Sequence, residues 1–395
     1  MQITFNKMTA LSLLRTLRAN AQDCRALAVR TNIAAPNPFP RKRWSKTAFQ
    51  SIKFDVPFEL DSYPVDVAVP NASMRLESRS ASSTTYSAGL PEGAFVSLGN
   101  GLALSGPELL FAELAGSMNP VEHLMLGHEL CGSFSRDAKD PYNGPITYGL
   151  KPATSTERIG AFIDQASYIH GIAKARESLR YLNDNAWSPT ESLIAALLRL
   201  PIDSLGFDIG DLVLNPREHA TAQLPGAKGS RVPDIVIAES AVGVNYDGFY
   251  HLNLHSVVTN AIEMGAHPEV SRAQAALNRA VRDVREKAVD DIRRNRELAA
   301  GGLFVFPVVK EDLYTPGGFD QVVEQLLNAL ETFSGRNVNE QRRILRKKAL
   351  SRERHRAILS LLPGKGERSI QIGRFIYGNE VSTEPPRIDE CWIEL

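Results

Sequence analysis

The feature that most constrains the fold is a pair of adjacent apolar strands followed by a long helix and a further strand. Residues 232–237 and 241–248 are rich in branched apolar side chains and are separated by a short turn, which is typical of neighbouring antiparallel strands. Residues 258–300 have strong helical character, and residues 303–309 form another apolar run. Strands interleaved with helices predict an α/β fold for this part of the chain.

Side chains with oxygen donors lie on these strands. Because residues i and i+2 of a strand share a face, Asn245 and Asp247 are expected to point the same way, with Asp234 nearby on the paired strand. Glu191 would add a further oxygen from the start of a helix, where Ser188 and Glu191 predict a capping box. Mg²⁺, with Mn²⁺ as an alternative, prefers oxygen ligands, and such a cation activates water for phosphodiester hydrolysis.

The same segment resembles a known family of nucleases. The residues Pro233-Asp234, Val244-Asn245-Tyr246-Asp247-Gly248 and His251 resemble the P-D…E-x-D-G…H pattern of very-short-patch-repair-like endonucleases, a branch of the PD-(D/E)xK superfamily. Residues 290–302 resemble the D-x-x-R-R-N-x-x-L-x-x-x-G helix of that family. The resemblance covers residues 186–315 and implies a restriction-endonuclease-like α/β domain with a mixed central sheet, which hydrolyses DNA.

The resemblance implies a role for each matching residue. Asp234 would be the central metal ligand, and Asp247 a second ligand or the group that orients the attacking water. Glu191 would be a supporting acid, and His251 would protonate the leaving oxygen or contact a phosphate. Asn245 stands where the family usually has Glu, and it keeps a ligand oxygen but loses the negative charge.

Basic side chains supply candidate contacts to nucleic acid. The resemblance places Arg293 and Arg294 on the helix that lines the site, where an arginine can pair with a phosphate in bidentate fashion. Arg346 and Lys347 belong to a basic run over residues 342–356. That run is typical of a solvated helix, and it could equally follow a phosphate backbone.

Each of these residues also has a purely structural interpretation. Asp247 followed by glycine is typical of a hairpin turn, and Asp234 after proline is a common turn former. Glu191 could act only as a helix cap, and His251 could be an ordinary surface or core histidine. Their order along the chain, together with the Arg293 helix, favours a metal-dependent endonuclease, and the neutral Asn245 leaves open a catalytically impaired, DNA-binding regulator instead.

The rest of the chain predicts several further units. Residues 1–150 predict an α+β region, in which Ser105-Gly106-Pro107-Glu108-Leu109 and Gly127-His128-Glu129-Leu130-Cys131-Gly132 resemble uncharacterised actinobacterial proteins with an abortive-infection antitoxin-like region. That resemblance implies a protein partner. Residues 151–185 predict a helical connector, residues 255–289 a separate helical insertion in the nuclease-like domain, and residues 316–395 a helical extension and tail.

Composition narrows the class of protein further. The 45 basic and 45 acidic residues balance, which weakens the case for a nucleic-acid binder without removing it. The sequence contains no apolar run of about 18 or more residues, so no membrane span is expected. The 3 cysteines form no C-x-x-C motif, which excludes a zinc ribbon and favours a reducing cytoplasm. His128-Glu129 lacks the second histidine of a zinc-protease helix.

Overall fold

The computed structural model describes residues 3–20, 27, 29–32, 45–75, 78–86, 89–166, 168–216, 232–247 and 270–362. It confirms the α/β fold, because helices pack on sheets that contain both parallel and antiparallel strands. Buried apolar side chains of the N-terminal and C-terminal halves belong to one continuous cluster. None of the helices in the described ranges is long and apolar enough to cross a membrane.

The N-terminal half is built on a mixed sheet with the strand order β2-β5-β6-β1-β3-β4. Its strands are β1 (Ile3–Phe5), β2 (Arg30–Thr31), β3 (Val65–Val69), β4 (Ala81–Thr85), β5 (Phe95–Gly99) and β6 (Leu102–Ser105). Gly99-Asn100-Gly101 between two apolar runs predicts a hairpin, which is confirmed: β5 and β6 pair antiparallel, and all three residues have positive φ, which glycine and asparagine tolerate best. Only one two-stranded ribbon, β7 (Phe134–Ser135) with β8 (Thr147–Tyr148), lies outside the larger sheets of the described chain.

Helices cover this sheet and connect it to the second half. They are α1 (Lys7–Asn20), α2 (Lys46–Gln50), α3 (Pro107–Leu114), α4 (Pro120–Cys131), α5 (Thr156–Gln165) and α6 (Ile172–Leu179). The leucine spacing in residues 1–30 predicts a helix there, and the helix found is shorter, because residues 3–5 instead enter the sheet as β1. Ser105 before Gly106-Pro107 predicts a helix cap at the serine, which is wrong by one residue: Ser105 ends β6, and Gly106 is the N-cap of α3.

The C-terminal half contains the predicted mixed sheet, with the strand order β12-β11-β10-β9. Its strands are β9 (Leu212–Leu214), β10 (Ile235–Ile237), β11 (Val242–Asp247) and β12 (Phe304–Val309). The first two pairs, β9 with β10 and β10 with β11, are antiparallel, whereas β11 and β12 are parallel. The helices around this sheet are α7 (Pro189–Arg199), α8 (Val270–Ala300), α9 (Lys310–Tyr314), α10 (Gly318–Ser334), α11 (Asn339–Leu345) and α12 (Lys348–Leu361).

Two helix predictions need correction. Residues 270–289 do not form a helix of their own, because they continue without a break into residues 290–300 as the 31-residue helix α8. The C-terminal end of α8 packs on the sheet through Leu298, which contacts Val236. The basic run over residues 342–356 is also not one helix, since it is interrupted at Arg346 and Lys347, between α11 and α12.

Candidate functional site

The candidate site lies at one edge of the C-terminal sheet, where three strand ends meet. Because β9, β10 and β11 run antiparallel to one another in turn, the end of β9, the start of β10 and the end of β11 share this edge. Asn215 directly follows β9, Asp234 directly precedes β10, and Asn245 and Asp247 lie at the end of β11. Ile235 is opposite Val244, so Asp234 and Asn245 are next in register on one face of the sheet, and Asp247 lies two residues further on that face.

Hydrogen bonds between β10 and β11 fix the position of Asp234. The backbone N–H of Asp234 donates to Asn245 Oδ1 at 2.9 Å, and Asp234 Oδ2 accepts the backbone N–H of Tyr246 at 2.7 Å. Asn245 is 0% exposed, and its Nδ2 has no hydrogen-bond partner within the described part of the chain. The amide of Asn245 therefore ties the two acidic strands together, and its role as a metal ligand stays a prediction.

Helix α8 brings a positive charge to the same face. Arg294 Nη2 lies 3.3 Å from Asp247 Oδ1, and both side chains are partly exposed. The Nε of Arg294 is buried and has no partner among the described residues. Arg293, the other arginine predicted to bind phosphate, is exposed on the same helix. Of the predicted pair, Arg294 is therefore the one that pairs with a site carboxylate.

Glu191 occupies the buried side of the site at the start of α7. Its carboxylate, in a residue that is 3% exposed, accepts hydrogen bonds from Asn215 Nδ2 at 2.7 Å and from the backbone N–H of Trp187 at 3.2 and 3.3 Å. Ser188 caps the helix as predicted, because its Oγ accepts the Glu191 N–H at 3.1 Å. The predicted capping box differs in one respect: Glu191 binds the N–H of Trp187, one residue before the cap.

Asp234 and Glu191 both lie in surroundings that disfavour their ionised forms. Burial raises the pKa of Asp234 to about 6, and the charge of Asp247 adds to this effect, while the Tyr246 N–H and Arg294 oppose it. Burial also raises the pKa of Glu191 well above its ordinary value, and the charge of Asp234 raises it further. Shifts of this kind, caused by burial and a specific like charge, are typical of functional sites, and a nearby cation would reverse them.

The predicted convergence of Asp234, Asp247 and Glu191 on one cation is not formed. Within the ranges described, no three His, Cys, Asp or Glu side chains make up a group that could hold a metal ion. The physical reason is that the Glu191 carboxylate already accepts hydrogen bonds from Asn215 and the Trp187 N–H. Asp234 and Asp247 remain as a pair on one face, and this donor set fits Mg²⁺, which usually takes one or two carboxylates and completes its shell with water and phosphate oxygens.

The remaining predicted residues are distributed differently. His251 lies outside the described residues. Arg346 and Lys347 are exposed between α11 and α12. Just before α11, Arg336 donates to the carbonyl of Ala238, which lies in the β10–β11 turn at the opposite end of these strands from Asp234. The start of α11 thus lies at the opposite end of β10 and β11 from Asp234. Contact of Arg346 and Lys347 with DNA stays a prediction.

The basic run around Arg346 is also less available than predicted. Its neighbours include Arg342, which pairs with Glu324 and Glu331, Arg343, which pairs with Glu340, and Arg354, which is 1% exposed and pairs with Asp320. Arg342 and Arg354 thus connect α11 and α12 to α10, whereas Arg343 pairs within α11. Contact of the run with a phosphate backbone stays a prediction.

Two asparagines and a tryptophan complete the site, and the sequence pattern did not identify them. Asn185 and Asn215 both adopt positive φ, and Asn185 Nδ2 donates to the carbonyls of Leu214 and Asn215 at 3.2 and 3.1 Å. The indole Nε1 of Trp187 donates to Asn185 Oδ1 at 2.9 Å. The only sequence signal was the cluster of asparagines before the Ser188 cap, since asparagine tolerates the left-handed region.

No family model, curated protein or solved structure matches this chain. The geometry defines an α/β protein with a pair of aspartates, a buried glutamate and an arginine at one edge of a mixed sheet.

Proposed function

We propose that this protein is a divalent-cation-dependent phosphodiesterase that cleaves DNA as an endonuclease. One observation carries the proposal: the register places Asp234 and Asp247 of neighbouring strands on the same face, with Arg294 beside them. Burial, and to a smaller extent the charge of Asp247, raises the pKa of Asp234 there. Two carboxylates and a guanidinium at a sheet edge provide both a seat for a hard cation and a partner for a phosphate.

The chain's own residues would divide the work as follows. Asp234 and Asp247 would hold Mg²⁺ or Mn²⁺, and the bound cation would lower the pKa of a water molecule and neutralise the scissile phosphate. Asn245 keeps Asp234 in place through its hydrogen bond to the backbone of that residue. The Nε of Arg294 and the Nδ2 of Asn245 are buried donors that have no partner in the described ranges, and phosphate oxygens that reach them would satisfy them.

The test is nicking of supercoiled plasmid DNA with Mg²⁺ or Mn²⁺, combined with a direct measurement of cation binding. We expect the wild type to nick the plasmid and to bind Mn²⁺ in an electron paramagnetic resonance titration. Asp234→Asn keeps the shape and the acceptor for the Tyr246 N–H but removes the charge, so both signals should fall to background. Asp164→Asn, an exposed aspartate on α5, is the matched control. Nicking by Asp234→Asn at the wild-type rate would remove the proposal.

A second candidate function is favoured by one residue. Asn245 is a neutral amide, fully buried, at the position where the nuclease resemblance implies a glutamate. A protein that has lost this charge could bind DNA and regulate through it without cleavage. Absence of nicking in both wild type and Asp234→Ala, with DNA binding retained in a gel-shift assay, would select the regulator over the endonuclease.

A further inference from the structure

A cavity lies beside the candidate site, on the outer side of the edge strand β9. Its volume is about 380 Å³, which is within the range of small-molecule pockets, and it is lined by residues 183–185 and 212–216. Asn215 belongs both to this lining and to the acidic site, because its Nδ2 donates to Glu191 Oε1 at 2.7 Å. A ligand in the cavity would therefore lie next to the carboxylates.

Two asparagines of the cavity lining carry side-chain oxygens that have no donor in the described part of the chain. The amide nitrogen of Asn183 is engaged with the carbonyl of Leu212 at 2.7 Å, while its Oδ1 is buried and lacks a partner among the described residues. The Oδ1 of Asn215, a residue that is 0% exposed, is in the same condition. Since a buried acceptor without a partner is costly, a ligand that carries N–H groups is the one that these side chains would bind best.

The side chain of Trp187 is hydrogen-bonded to a residue of the cavity lining. Trp187 is 40% exposed, although its indole nitrogen is fixed by Asn185, which lines the cavity. The backbone N–H of the same residue donates to the Glu191 carboxylate. Trp187 is thus tied both to the cavity lining, through Asn185, and to the acidic site, through Glu191, and its exposed ring offers a flat apolar surface at a defined position.

We propose that this cavity and Trp187 form a subsite for one unpaired nucleobase of the DNA strand whose phosphate lies at Asp234 and Asp247. The exocyclic amino and ring N–H groups of a base would donate to Asn183 and Asn215, and the base would stack on the indole. In duplex DNA those groups are engaged in base pairs, so the preferred substrate is single-stranded DNA or DNA with an unpaired nucleotide. This inference rests on the proposed function and narrows its substrate class.

The test is the affinity of the full chain for labelled single-stranded DNA and for a fully paired duplex of the same sequence, measured by fluorescence anisotropy with Ca²⁺ in place of Mg²⁺. We expect the wild type to prefer the single strand, and Trp187→Ala to weaken single-strand binding about tenfold while leaving duplex binding unchanged. Trp187→Phe keeps an aromatic face and should retain most of the affinity. Tyr168→Ala, an 82% exposed aromatic residue on the α5–α6 connection, is the control and should change nothing.

A second measurement does not depend on the folding of any variant. Abasic nucleotides placed through the single strand remove the bases but keep the phosphates, and they should weaken binding to the wild type by a similar factor. Equal affinity of the wild type for single strand and duplex, no loss with abasic DNA, or no binding at all would overturn the inference. If Asp234→Asn abolishes nicking while Trp187→Ala binds single strands normally, the inference fails and the proposed function stands. If Trp187→Ala loses the preference for single strands while Asp234→Asn nicks the plasmid at the wild-type rate, the base subsite stands and the proposed function fails.

Discussion

The buried ion pair between α1 and α4 gives the sharpest quantitative prediction. Arg15 binds Glu129 through both ends of its fork, with Nε to Oε1 at 2.9 Å and Nη2 to Oε2 at 2.7 Å. Both side chains are almost completely buried. Burial alone would raise the pKa of Glu129, but the charge and hydrogen bonds of Arg15 outweigh it and lower this pKa from 4.5 to about 2.

This shift sets the size and the pH window of the effect. A carboxyl whose pKa is lower in the folded state stabilises the fold when it is ionised. A difference of about 2.5 pKa units corresponds to about 3 kcal/mol at 1.36 kcal/mol per unit. The stabilisation is complete above the unfolded-state pKa of 4.5 and is lost as the pH falls towards about 2. Arg15→Met keeps most of the volume but removes the main partner of a buried carboxylate, which keeps only the weaker charge of Arg136 and the Arg136 N–H. It should therefore lower the free energy of unfolding by about 3 kcal/mol at pH 7.

Urea unfolding at pH 7, followed by circular dichroism, measures this loss. The double variant Arg15→Met with Glu129→Gln removes both charges of the pair, and the amide can still accept the N–H of Arg136, so it should recover part of the stability. The rest stays lost because the buried guanidinium of Arg136 no longer faces the charge of Glu129. Arg343→Met is the matched control, since it breaks an exposed pair with Glu340 that is worth at most about 1 kcal/mol. A loss below about 1 kcal/mol in Arg15→Met, or a double variant as unstable as the single one, would refute the reasoning.

Three further changes test other parts of the fold. Burial raises the pKa of Glu113 from 4.5 to about 7, so between these values the folded state retains a proton that the unfolded state has lost. The free energy of unfolding should therefore fall as the pH rises from about 4.5 to about 7. Glu113→Gln should remove this fall, which urea titrations at pH 5 and pH 8 measure. Arg354→Met removes a buried guanidinium that pairs with the partly buried Asp320 at 2.6 Å, and it should lower the unfolding free energy by about 3 kcal/mol, measured by thermal unfolding. Gly206→Ala would place a Cβ 1.8 Å from the carbonyl oxygen of Leu200, so the backbone must move, and calorimetry should show a loss of about 3 kcal/mol.

Features that depend on a few neighbouring residues were predictable from the sequence. The strand at Val65–Val69 follows from alternating valines, and the β5–β6 hairpin follows from two glycines around an asparagine. The start of α7 follows from Ser188 and the proline after it. The paired strands that carry Asp234 and Asp247 were predicted by the same local logic, because one short turn joins them.

Features that depend on distant partners were not predictable in this way. The sequence spacing predicted that Arg15 and Arg18 interleave with the apolar face of a helix, yet it gave no sign that both would be buried against α4. Asn215 reaches Glu191 across 24 residues of chain, and nothing in the pattern of either segment indicates that contact. Such partners are set by how helices and sheets pack, and local periodicity carries no information about that packing.

The neutral residue at 245 has an electrostatic explanation that connects the fold to the proposed chemistry. The site already contains Asp234 and Asp247, whose like charges repel each other, and Arg294 on α8, which pairs with Asp247. It also contains Glu191, whose burial favours its protonated form. A third ionised carboxylate at a fully buried position between them would raise the pKa values of its neighbours further in the absence of a cation. An asparagine there still accepts the hydrogen bond that aligns the strands, and it adds no charge. An asparagine at this position therefore favours a stable cation-free protein over tight cation binding, so the proposed cleavage should depend steeply on the cation concentration.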